Sequence, residues 1–126
     1  MQKHEEWLWF AEQDLKAAQK LVREDEVILL PAVFHSQQCA EKALKAFLVL
    51  KKQPLRKTHD LVQLVKQCLK FDESFELLLD IAVDLNPYVS QSRYPAEMLM
   101  IPDLTTVKIT IDQAKKVFDF VEQRID

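Results

Sequence analysis

Three polar side chains stand where helical periodicity calls for apolar ones. At about 100° per residue, Asp14 falls between Trp7 and Ala18 in one apolar stripe. Gln37 falls inside the face made by Val33, Ala40 and Leu44, and Glu41 lies at its edge. Burying a carboxylate without a partner costs several kcal/mol, so these groups require donors. Lys42, His59, Arg93, Tyr88 and Tyr94 are the candidates. The result is either a satisfied network that fixes helix register or a polar pocket between helices, where bundles commonly place ligands. His35, Gln38, Lys42 and Lys45 form a second stripe, opposite the apolar face. It is a solvated face or a phosphate-contacting edge, since two ammoniums on one face match an anion. His59 beside Asp60 is a helix cap or a base held by a carboxylate. Arg93 is the one cation among seven acids in residues 71–104. It is ion-paired, or it is an anion clamp on a proline-bounded loop.

Other chemistry is excluded by composition. The 126 residues contain no glycine, which removes the Walker loop and the dinucleotide fingerprint. Tight hairpin turns also need glycine, so an all-β fold is disfavoured. Cys39 and Cys68 have no CxxC partner, and His4, His35 and His59 form no HxxxH pair. Both cysteines read as small reduced core residues, and neither metal nor cofactor is expected. No Ser/His/Asp or Cys/His order suggests a nucleophile. The N-terminus lacks a secretory signal, and the longest uncharged apolar run, 27–34, is far short of a membrane span. A cytoplasmic protein is expected. The net charge of −3 argues against bulk nucleic-acid binding, yet the charge is polarised. Residues 41–70 carry +6 and residues 71–104 carry −6. That suits self-association or an anionic ligand at the basic end.

The elements that must position these residues are helices. Trp7, Ala11, Leu15, Ala18 and Val22 predict a first helix over 3–23, with Trp7 in the core and Trp9 at an interface. A second, over 32–51, follows Pro31. A third begins near 58–60, capped by Thr58 or Asp60. A fourth, over 73–85, is apolar nearly all round, hence central or at a subunit interface. A turn-rich stretch over 86–102 precedes a last helix over 103–124, with Asp103 as N-cap. Its β-branched start leaves a strand as the alternative there. Short connections between amphipathic helices give an all-α antiparallel bundle of about five helices in one domain, 1–126.

Several motifs in order carry a family resemblance. The run from Trp7 through Asp14 to Ala18 resembles the opening helix of HEPN-domain proteins. The run from Phe34 through Gln37, Glu41 and Lys42 to Ala46 is similar to their second-helix signature. Thr58-His59-Asp60-Leu61, Leu85-Asn86 with Tyr88, and Ser92-Arg93-Tyr94-Pro95 follow in the expected sequence. The resemblance implies a helical bundle that forms a homodimer, binds an ATP-like nucleotide and pairs with a minimal nucleotidyltransferase, in some cases as a toxin–antitoxin module. On that reading Lys42, Lys45, Arg93, Tyr94 and His59 contact the ligand, while Asp14, Gln37 and Glu41 organise the polar core. Many relatives in the wider superfamily are metal-independent ribonucleases, marked by Arg and then His after four to six residues. Here Arg23 precedes His35 by eleven intervening residues and Arg56 precedes His59 by two. The signature is absent in its usual form, so a non-catalytic subunit is expected. The alternatives are a pure interaction module with a structural polar core, or a ribonuclease using His59 with Arg93.

Overall fold

A computed structural model describes residues 1–23, 25–88 and 102–125. The elements in order are α1 (Lys3–Leu21), α2 (Leu29–Leu50), α3 (Leu61–Leu69), a 3₁₀ turn (Glu73–Leu78), α4 (Leu79–Leu85) and α5 (Leu104–Glu122). No strand occurs among the described residues, and the all-α bundle expected from periodicity is the fold.

Helix α2 is the centre of the bundle, with α1, α5 and α3 packed on it. Fourteen of its 22 residues are buried. Alanines at 32, 40, 43 and 46 let neighbouring backbones approach, and Val33, Leu44, Phe47 and Leu48 fill the space between. The helix starts three residues before the predicted position, so that Pro31 lies inside the first turn. Proline is tolerated there because its missing N–H would have no helical acceptor.

Helix α1 opens with Gln2 and Glu5 in a capping box, the Gln2 N–H donating to Glu5 Oε1 at 3.0 Å. Ala11, Leu15 and Ala18 form its buried stripe. Trp7, expected in the core, is only half-buried, and Trp9 is exposed. The predicted fourth helix is two pieces. Asp72 accepts from the Ser74 N–H and hydroxyl, which tightens the chain into the 3₁₀ turn before α4 begins. This region is peripheral rather than central. Phe75, Leu78, Ala82 and Leu85 face inward, but Leu77 is 75% exposed and Val83 58%. In α5 the Asp103 carboxylate caps the Thr106 N–H at 2.8 Å. Its β-branched residues stay helical because Val107, Thr110 and Ile111 are buried in the bundle.

Two further features close the fold. Phe75 stacks between Phe47 and Phe120 at 4.5 and 4.9 Å, and the Arg124 guanidinium lies 3.4 Å from the Phe120 ring centre. The end of α2 needs a left-handed residue, and without glycine Lys52 takes that role at φ 59°.

Candidate functional site

Each buried carboxylate sits between a lysine and a histidine. Asp14, on α1, reaches across to α2 and accepts from Lys42 Nζ at 2.7 Å and His35 Nδ1 at 2.8 Å. Seven residues separate these partners, two helical turns, so both lie on the edge of α2 that faces α1. Glu41 lies deeper, 3% exposed. It accepts from Lys45 Nζ at 3.0 Å, His59 Nδ1 at 2.8 Å and, at 3.4 Å, Gln37 Nε2. The Gln37 amide also donates to the His59 carbonyl, and its own oxygen accepts from Gln38 at 2.7 Å. Every buried polar group named here is therefore partnered, as burial demands.

A carboxylate only accepts, so the bonded Nδ1 of each histidine carries a proton. The Nε2 atoms are then left as acceptors whenever the rings are neutral. Both rings reach solvent, with His59 47% and His35 34% exposed at the side chain. The His59 backbone is fixed by the start of α3. Asp60 caps the Gln63 N–H, Thr58 Oγ1 accepts from the Asp60 N–H, and Asn86 clasps both sides. Its Oδ1 accepts from the Leu61 N–H at 2.8 Å and its Nδ2 donates to Asp60 at 2.9 Å. That last bond is the main reason the Asp60 carboxyl is held below the usual carboxylate range.

The structure brings Asp14, Gln37, Glu41, Lys42, Lys45 and His59 into this seam, while Arg93 and Tyr94 lie outside the described residues. Lys42 and His59 are donors, as their types suggested. Tyr88 packs against the apolar core instead. The predicted outer stripe of α2 is not a solvated face, because Gln38 and Lys45 are buried and both lysines are neutralised by carboxylates. His35 and Lys45 were missed as carboxylate partners. The spacing of four from Glu41 to Lys45 was the available signal. Both cysteines are free and buried, and burial pushes the Cys68 thiol up to about 12 and Cys39 higher still, away from the reactive thiolate. Among the described residues no group of three or more His, Cys, Asp or Glu could hold a metal ion.

Beside the seam is a groove of about 330 Å³ lined by Glu6, Trp7, Phe10 and Lys42. Lys42 Nζ lies 5.9 Å from the centre of the Phe10 ring, and Lys45 Nζ 5.7 Å from the Trp7 ring. Aromatic faces and an ammonium thus meet at one opening.

The sequence profile of the HEPN domain matches residues 4–124. The chain belongs to the HEPN family. Solved structures share its fold. The crystal structure of TT1696 from Thermus thermophilus is 28% identical, with 98% of each chain covered and a TM-score of 0.81. That of ST0689, an archaeal HEPN homologue, is 24% identical over 100% of both chains, with a TM-score of 0.76, a likeness of fold. No curated protein matches the chain. In this HEPN chain the Arg23 Nε donates to the Gln19 carbonyl of its own helix at 3.2 Å. No helix among the described residues is long and apolar enough to cross a membrane.

Proposed function

We propose that this HEPN chain is a non-catalytic, dimerising subunit that binds a nucleotide and works with a minimal nucleotidyltransferase, as one half of a toxin–antitoxin-type pair. The observation that carries the reading is the groove where Trp7, Phe10 and Lys42 converge, backed by Asp14 and His35. A base stacks on an aromatic face, and an ammonium receives a phosphate. The test is thermal unfolding with and without millimolar ATP. A ligand at about a hundred times its dissociation constant adds about 2.7 kcal/mol. Phe10 is exposed, so Phe10→Ala is expected to abolish the shift while leaving the ligand-free Tm unchanged. An unshifted wild type rules out the nucleotide. Failure of a minimal nucleotidyltransferase to co-elute with the chain rules out the pairing. RNA cleavage that disappears in His59→Ala overturns the non-catalytic assignment.

A second reading has its own observation. Lys42 and Lys45 are already paired with carboxylates, and Lys45 is buried. A pure interaction module, with a structural polar core, needs no ligand at the seam. On that reading ATP leaves the Tm unmoved, and Glu41→Ala unfolds the chain without altering any affinity.

A further inference from the structure

The end of the bundle where α2 finishes carries two surfaces of opposite character. One is a trough of about 590 Å³ with Trp7, Val49, Pro54 and Leu55 in its walls and Lys3 and Lys52 at its rim. Pro54 and Gln53 also border a smaller hollow of about 80 Å³, which adds Arg56, Lys70 and the exposed Phe71. Among the described residues no acid lines either depression, and Lys3, Lys52, Arg56 and Lys70 enter no ion pair. The other surface is the outer side of the 3₁₀ turn and α4. There Glu73, Glu76, Leu77, Asp80 and Val83 are all exposed, and none of the three acids is ion-paired among the described residues. It is a ridge of acids with apolar knobs. The trough is a slot of cations with apolar walls.

We infer that the ridge of one HEPN chain docks in the trough of a second copy, and that the two contacts are reciprocal. The inference rests on the reading of the chain as a dimerising subunit and names the surface that reading lacks. Charge and apolar pattern are complementary on both counts: unpaired cations meet unpaired acids, and Leu77 and Val83 meet Trp7, Val49 and Leu55. The ridge begins at the end of the fold that carries the trough. Phe75, inside the ridge segment, packs on Phe47 near the end of α2, and Ser74 accepts from Arg124 at the end of α5. In the inferred assembly a two-fold axis at that end sets each ridge against the other copy's trough, and a contact of that symmetry closes at two chains instead of growing into a filament. A single-stranded oligonucleotide would use the cations but would leave the apolar walls and Leu77 uncovered. The net charge of −3 also opposes it.

Charge reversal tests this with its own control for folding. One variant carries Lys52→Glu and Lys70→Glu; the other carries Glu76→Lys and Asp80→Lys. All four positions are exposed. In sedimentation equilibrium each variant alone sets like charges against each other, and dimer affinity is expected to fall about 100-fold. Mixing the variants in equal amounts pairs the negative trough with the positive ridge, and the positive trough with the negative ridge. The heterodimer is expected to form, which also shows that both variants are folded. Wild-type affinity is expected to weaken as salt rises. Variants that still dimerise alone, or a mixture that stays monomeric, overturn the inference and leave the dimeric reading to another surface. A wild type that is monomeric removes both. Retention of oligodeoxythymidine by the wild-type dimer through Lys52 and Lys70 also overturns it, because a filled trough has no room for a strand.

Discussion

The molecule handles charge in two ways. Where α2 meets α1 and the start of α3, lysines are folded back on buried carboxylates, and His35 and His59 are tied by Nδ1. Around the connector after α2, cations stand in solvent without acidic partners among the described residues. The first region uses its charges to fix register: Asp14 ties α1 to α2, and Glu41 ties α2 to the start of α3 through His59. The second keeps its charges available. A polar residue is therefore not a binding residue by type. What matters is whether its partner lies within the same chain.

Breaking the seam gives the largest effect. Glu41→Ala strands the buried Lys45 ammonium and releases His59. Removing one partner of a buried pair costs about 3–5 kcal/mol, read as a lowered urea midpoint. Glu41→Gln, which still accepts a hydrogen bond, is expected to cost less. Next comes the clasp that steadies His59. Asn86→Ala leaves the Leu61 N–H without its acceptor and is expected to cost about 1–2 kcal/mol. It is also expected to broaden or shift the His59 ring signals in NMR.

Asp14, Gln37 and Glu41 stood out because an apolar stripe makes a polar intruder visible. The partners of the carboxylates were harder to see. A helical wheel divides α2 into its own two faces, but α2 is the central helix, so its polar side is covered by α1 and the start of α3. Lys45 is buried there by neighbours that only the tertiary fold supplies. The break at 73–78 was hidden for a different reason. A helix and a 3₁₀ turn of that length differ through local hydrogen bonds from Asp72 and Ser74, not through hydrophobic pattern. The N-caps Asp60 and Asp103 were legible because capping is set by the residue and its next three neighbours.

Smaller effects sharpen the contrast from the solvent side. Lys52→Gly relieves a left-handed backbone at a helix end and is expected to raise stability by about 1 kcal/mol, seen as a higher Tm. Arg56→Ala and Lys70→Ala, which break no ion pair among the described residues, are expected to change unfolding free energy by less than about 0.5 kcal/mol.

The acid limb of the pH profile is the mildest test. Asn86 holds the Asp60 carboxyl low, the Ser74 hydroxyl does so for Asp72, and the Thr106 N–H for Asp103. A carboxyl with a depressed folded value stabilises above its unfolded value, about pH 4. That contribution is lost as pH falls through the folded value. The urea midpoint is expected to decline below about pH 4, and less steeply in Asn86→Ala, where the Asn86 amide no longer donates to the Asp60 carboxylate.

The placement of the tryptophans has an optical consequence. Both indoles belong to the first half of α1, one half-buried and one exposed, and the core is filled by phenylalanine and aliphatic side chains. Their emission therefore reports the outside of the molecule. Filling of the groove beside Trp7, or covering of Trp9, should alter brightness or wavelength with no change in helicity. Fluorescence and circular dichroism thus watch different parts of this chain. If their melting curves separate, the first turns of α1 are loosening before the bundle gives way.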